Sequence, residues 1–156
     1  MKPKIVVTGT RGIPDIMGGV ETHAEQLYPR IAKLGFDVTV VRSTHYAATH
    51  FASWNCVSLV DINAPQRKAF EAIVHTFKAI CHAKKTKADI IHIHTIGPAL
   101  LIPFAKMLGM KVVFTHHGPA YDRDKWGTVA KMVLKIGERL GCYFADHVIV
   151  ISDVIR

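Results

Sequence analysis

The chain has 156 residues, 49% of them hydrophobic, with 20 Lys and Arg against 12 Asp and Glu. That length suggests one domain, and the apolar share excludes a disordered tail. The net charge of +8 favours anionic partners, and no apolar run reaches the roughly 18 residues of a membrane-spanning helix. Met1 to Thr8 lacks the apolar segment and cleavage site of a signal peptide, so the cytoplasm is the expected compartment. Cys56, Cys81 and Cys142 lie far apart and form no paired motif. They read as reduced, mostly buried thiols.

In chain order, Ile5 to Thr8 reads as a buried first strand. Gly19 to Leu34 reads as a helix, because Val20, Ala24, Leu27, Ile31 and Leu34 recur every three or four residues and Gly35 follows as a stop. Asp37 to Val41 and Cys56 to Val60 are the next strands. Pro65 opens a helix running to Lys85, with Ala69, Ile73, Phe77 and Ile80 as its inner stripe. Asp89 to His94 is a strand, Gly97 to Leu108 a helix with Pro98 in its first turn, and Lys111 to Thr115 a strand. A loop from His116 to Lys125 precedes a helix over Thr128 to Phe144 and a strand over His147 to Ile151.

Strands and helices that alternate, with continuously apolar strands, predict an α/β fold: a Rossmann-like, doubly wound parallel sheet covered on both faces. Ligands of such sheets sit beyond the carboxyl ends of the strands. Five segments fall there: Gly9 to Gly19, Arg42 to His50, His94 to Pro98, His116 to Trp126, and Ser152 onward. The chain stops at Arg156 as a new element begins, which reads as a fragment of a longer protein.

Four of these regions carry candidate chemistry. Gly9-Thr10-Arg11-Gly12-Ile13-Pro14 and Gly18-Gly19-Val20-Glu21-Thr22 lie between the first strand and helix, where glycines admit a ligand close to the backbone and helix amides suit phosphate. The spacing matches neither the dinucleotide fingerprint nor the P-loop. In Asp89-Ile90-Ile91-His92-Ile93-His94, alternation puts both histidines on one face. His92 reads as a hydrogen-bonded structural residue and His94, at the strand's end, as a cleft residue. Thr115-His116-His117-Gly118 leads into Tyr121-Asp122-Arg123-Asp124, whose Arg123 suits a phosphate or carboxylate. Glu138 reads as a solvated helix residue, and Ser152 as a ligand contact or helix cap.

These pieces, in this order, resemble the N-terminal domain of retaining glycosyltransferases of the GT-B fold, group 1 (family 4). Gly18-Gly19-Val20-Glu21-Thr22-His23 is similar to the family's glycine loop. Asp89 to His94 is similar to its strand-four histidine motif, and Val113-Phe114-Thr115-His116-His117-Gly118 to its "HG" segment. Glu138 with Ala145-Asp146-His147-Val148-Ile149-Val150-Ile151-Ser152 looks like the stretch that leads toward the second domain. Thr8 to Pro14 resembles a rhamnosyltransferase-like subgroup of cell-surface polysaccharide assembly.

The resemblance implies the N-terminal half of a GT-B fold over residues 1–156, with a C-terminal, donor-binding domain outside this chain. It implies that Gly18 and Gly19 approach the donor diphosphate and that His117 is the catalytic cleft histidine. His94, Arg123, Asp122 and Glu21 would then face the acceptor. His116 stands where the family more often has a hydrophobic residue, so which of the two histidines faces the cleft stays open. The implied chemistry is metal-independent, without cofactor, with a nucleotide sugar as co-substrate and a glycan or lipid-linked acceptor. The half alone is expected to be inactive. The positive charge fits peripheral contact with the anionic inner face of the plasma membrane. A nucleic-acid partner is not expected, because the basic residues form no stripe interleaved with aromatics. The alternative is a non-catalytic carbohydrate- or nucleotide-binding module.

Overall fold

The computed structural model describes residues 2–47, 51–122 and 127–151, with the backbone alone for Lys68, Ala69 and Asp122. Strand β1 (Lys4–Thr8) leads to helix α1 (Gly19–Lys33) and strand β2 (Asp37–Ser43). A hairpin follows, β3 (Ser53–Trp54) and β4 (Val57–Ile62), then α2 (Lys68–Lys85) and β5 (Ile90–His94). A 3-10 turn (Pro98–Leu101) runs into α3 (Ile102–Met107), followed by β6 (Lys111–His116) and a second 3-10 turn (Ala120–Asp122). Helix α4 (Thr128–Phe144) and strand β7 (His147–Val150) complete the described elements.

The sheet order is β3-β4-β2-β1-β5-β6-β7, and every pairing except β3 with β4 is parallel. The central strands bury both faces, as a parallel sheet between helices must. Val7, Val40, Tyr28 and Ala24 pack together under α1, while Ile80, Ile93, Ile102 and Phe114 belong to the core on the opposite side. From β1 the chain winds outward to β4, then returns to β5 on the other side of β1. That reversal opens a crevice at the carboxyl ends of β1 and β5, the place where ligands of open α/β sheets bind. The expected doubly wound architecture is therefore the one observed.

The differences lie at element ends and each has a physical cause. The helix expected over Gly97 to Leu108 is a 3-10 turn followed by α3. Pro103, in the first turn of α3, lacks the N–H that a continuous helix would need. The strand expected from Cys56 begins at Val57, because Asn55 and Cys56 take left-handed φ angles of 45° and 68° and turn the chain into the hairpin. Leu34 caps α1 and is exposed rather than buried. Phe77 is also exposed and stacks on Phe104, with ring centres 5.2 Å apart. The cysteines are free but exposed, not buried. Among the described residues no helix is long and apolar enough to cross a membrane.

Strand β7 is exposed along its length, with Val148, Ile149 and Val150 open on an edge of the sheet. Asp146 ties its start to the neighbouring strand, accepting from Val112 N–H at 2.7 Å and from the Lys106 ammonium at 2.7 Å. Those donors, Lys106 first, hold the Asp146 carboxyl below its ordinary pKa.

Helix α4 packs through glycines against the turn after β5 and against β6. A methyl at Gly137 would run into the Ile96 carbonyl oxygen, and one at Gly141 into the Phe114 ring. An exposed helix glycine gains about 1 kcal/mol when changed to alanine. Gly137→Ala is expected to lose about 1–3 kcal/mol instead, as overpacking does, read as a lower urea midpoint. An alanine variant as stable as the parent would contradict this close packing.

Candidate functional site

The loop after β1 is laid down by glycines that admit close neighbours. A Cβ at Gly9 (φ 86°) would collide with the backbone of His94, so only glycine brings this loop against the end of β5. Gly12 passes over the Arg42 side chain in the same way. Arg42 is buried and makes a two-pronged ion pair with Asp61 of β4, 2.7 Å from Nε and 3.0 Å from a terminal nitrogen. The loop is also pinned by Ser43 N–H, which donates to the Arg11 carbonyl at 2.9 Å.

Helix α1 starts at Gly19 with no side-chain cap, so its first amides are left for other acceptors. Gly19 faces open space, whereas a side chain at Gly18 would strike the Glu21 carboxylate. Glu21 is buried and accepts from Arg11 N–H at 3.0 Å. The structure thus puts Glu21 inside the glycine loop as a brace, not in open contact with an acceptor. The Arg11 side chain is exposed, donates to the Met17 carbonyl at 3.2 Å and lies 5.2 Å from the Tyr46 ring centre.

At the ends of β5 and β6 four imidazoles gather. His92 and His94 share one face of β5, as alternation predicts, and their rings stack 4.4 Å apart. Tyr28 reaches down from α1 and places its hydroxyl 2.8 Å from His92 Nδ1 and 2.5 Å from His94 Nε2. His92 Nε2 lies 2.7 Å from the Thr115 hydroxyl, and His94 Nδ1 lies 2.8 Å from His117 Nε2. His23, one turn into α1, sits with its ring centre 5.2 Å from that of His117. His92 and Thr115 are structural, as expected of His92. His94 is completely buried beneath His117, so His117, half-buried, is the ring that reaches the crevice.

Burial sets the charge of this cluster. It pulls the pKa of His92 down to about 4, with smaller repulsion from His23 and His117. The same cause takes His94 well below the ordinary value, and burial with repulsion from His23 and His116 takes His117 to about 4. His92, His94 and His117 are therefore neutral at physiological pH. Among the described residues, no three His, Cys, Asp or Glu side chains are placed to hold a metal ion.

The two neighbouring histidines separate cleanly. His116 is buried and faces α4, its Nε2 2.6 Å from Glu138 Oε1. Gly118 N–H donates to His116 Nδ1 at 3.0 Å, so the ring proton is on Nε2 and goes to Glu138. Glu138 also accepts from the Tyr121 hydroxyl at 3.1 Å. Glu138 is therefore a hydrogen-bonding anchor rather than the solvated residue its helix position suggested. Thr95, between His94 and the next turn, is held at φ 68°, a strained region for a β-branched residue.

Arg123, Asp124 and Ser152 lie outside the described residues, and of Asp122 only the backbone is described. Tyr28, His23 and Arg11 were not singled out in the sequence. Tyr28 carried a usable signal: it follows Ala24 by four residues on the inner face of α1, and a buried tyrosine hydroxyl requires a polar partner.

A mostly parallel sheet with a glycine loop and histidines at its reversal point is Rossmann-like, and its solved neighbours give it as the N-terminal half of a GT-B fold. Comparisons agree. Residues 17–156 match the model of Glycosyltransferase Family 4, and the chain belongs to that family. Sucrose-phosphate synthase from Thermosynechococcus elongatus is similar in structure, with a TM-score of 0.75 at 15% identity over 95% of this chain and 42% of its own. Arabidopsis thaliana UGT89C1 complexed with UDP is similar with a TM-score of 0.55 at 14% identity, over 97% of this chain and 43% of its own. At such identities the likeness concerns the fold, and the chain spans less than half of either protein. No curated protein matches in sequence.

The buried, neutral imidazoles of His92 and His94 make stability pH-dependent. Folding lowers these pKa values, so the unfolded chain binds protons more readily, and stability is complete above the unfolded value of about 6.5. As pH falls from there toward about 4, His92 alone removes up to about 1.4 kcal/mol per pH unit. His94 and His75, both depressed by burial, act in the same direction. Thermal melts between about pH 8 and about pH 5 are expected to be flat at first and to fall steeply below about pH 6. A melting temperature unchanged over that range would mean that the imidazoles are not buried as described.

Proposed function

We propose that this chain is the acceptor-side half of a glycosyltransferase that moves a sugar from a nucleotide-sugar donor to a cell-surface polysaccharide or lipid-linked acceptor. The observation that carries the reading is the glycine loop lying against His94, with His23 beside His117, at the sheet's reversal point, in a chain of Glycosyltransferase Family 4. In this reading the donor's diphosphate lies against Gly18, Gly19 and the uncapped start of α1, where amide dipoles favour negative charge. His117 hydrogen-bonds the transferred sugar, with His94 supporting it from below. Arg123 and Asp122 are proposed on the acceptor side, and Arg11 is a further cation at the loop's edge.

The reaction would break the bond between the sugar and the nucleoside diphosphate and form a glycosidic bond to an acceptor hydroxyl, whose proton leaves with the diphosphate. Stabilising the charge on that leaving group is the main electrostatic task. Retention of configuration, a rhamnosyltransferase-like specificity and metal independence belong to the proposal through the resemblance of the motifs. So does a donor-binding domain beyond this chain, without which the half is inactive. The 42% coverage of sucrose-phosphate synthase supports that division.

The complete protein, incubated with UDP-, GDP- and dTDP-sugars and lipid extract, is expected to release nucleoside diphosphate from one donor, read by mass spectrometry. His117→Ala is expected to lower that release by about a hundredfold or more, the scale of a lost transition-state hydrogen bond. Release from no donor would favour the binding-module reading.

The +8 charge supports a peripheral site at the inner face of the plasma membrane. Vesicles with anionic lipid are expected to retain the protein at low salt and release it as salt rises, since screening shortens the attraction. No retention at low salt would remove the membrane from the proposal.

A further inference from the structure

Thr115, His92, Tyr28, His94 and His117 form one unbroken hydrogen-bonded chain running from β6 through the core to the crevice. Its members up to His94 are at most 5% exposed, so each polar atom must find its partner within the chain. Neutral imidazole carries a single N–H, and a phenol a single O–H. Tyr28 stands between two ring nitrogens and can donate to only one of them. The protons must therefore all run one way.

Two directions exist. In one, His117 Nε2–H donates to His94, His94 to Tyr28, Tyr28 to His92, and His92 Nε2–H to Thr115. That order strands the Thr115 hydroxyl proton, because Thr115 is fully buried and its hydroxyl bonds only His92 among the described residues. A buried donor without an acceptor is costly. In the other direction Thr115 O–H donates to His92 Nε2, His92 Nδ1–H to Tyr28, Tyr28 O–H to His94 Nε2, and His94 Nδ1–H to His117 Nε2. Every internal donor then has an acceptor. His117 is left with its proton on Nδ1, an atom with no hydrogen-bond partner among the described residues.

We infer that Thr115 and Tyr28 are positioning residues that lock His117 in its Nδ1–H tautomer, so that it meets a ligand as a hydrogen-bond donor and not as a base. The burial that depresses the pKa values of His92 and His94 supports the neutral state this requires. That the donor serves a sugar oxygen rests on the transferase reading. The tautomer does not rest on it, and the experiment reads the tautomer directly.

Long-range proton–nitrogen correlation spectra of the chain labelled with 15N-histidine, at neutral pH, distinguish the two tautomers of each ring. The expected result is a single Nδ1–H form for His117, Nδ1–H for His94 and Nδ1–H for His92. Tyr28→Phe cuts the chain in its middle, and His94 and His117 are then expected to show averaged shifts from a mixture of tautomers. Thr115→Val removes the hydroxyl that sets the direction and is expected to do the same, while Thr115→Ser keeps the parent spectrum. The threonine pair carries the test alone if Tyr28→Phe does not fold. An Nε2–H form of His117 in the parent, or a His117 signal indifferent to Thr115→Val, would overturn the inference.

Discussion

A phenol hydroxyl buried between two uncharged imidazoles governs the arrangement of this domain. Tyr28 is fully enclosed, and its oxygen lies within 2.8 Å of both histidines of β5. Burying a hydroxyl without partners costs several times more than a hydrogen bond gains, so α1 has one favourable seat on the sheet. That seat has consequences at a distance. Gly19 precedes Tyr28 by nine residues, roughly 13 Å of helix at 1.5 Å per residue. The helix is thus hung from its middle, and its open N-terminus and His23 come out at the crevice. The same contact holds His94 under His117.

The glycine loop answers the opposite need, for proximity rather than for partners. Gly9 lets the backbone pass over His94, and Gly12 lets it pass over Arg42. Arg42 in turn is fixed by Asp61, directly opposite it in the register of β2 and β4. A charge so deeply placed is tolerated because the pairing is two-pronged and because the Phe51 carbonyl, 3.4 Å away, takes a further contact. The loop therefore rests on two neighbours that are themselves immobilised, one on each side of β1.

Much of this was legible in the sequence because period and composition report burial. Continuous apolar strands between amphipathic helices specify the sheet, and alternation alone puts His92 and His94 on one face. What stayed hidden were effects of partners that periodicity does not encode. Glu138 looks solvated on its helix until the neighbouring His116 is brought against it across the sheet edge. Glu21 looks like a free acid near a helix start, yet the preceding loop folds back to use it. His116 and His117 are adjacent in sequence and cannot be told apart by type. Strand alternation sends one toward α4 and the other toward α1, and only the order of the strands says which of those is the crevice.

Neutrality of His92, His94 and His117 bears on where the charge for the proposed chemistry comes from. A departing diphosphate needs positive potential, and imidazoles with pKa values near 4 carry none at physiological pH. Protonating His117 is opposed first by its burial and then by repulsion from His23 and His116. Under the proposed reading, positive potential then falls to groups that need no proton: the amide dipoles at the start of α1, the Arg11 guanidinium, and cations contributed from outside this chain. His117 is left a directional task, to which a fixed N–H is better suited than a charge. A cation in that position would attract any anion equally, whereas a neutral donor rewards only an oxygen at the right place.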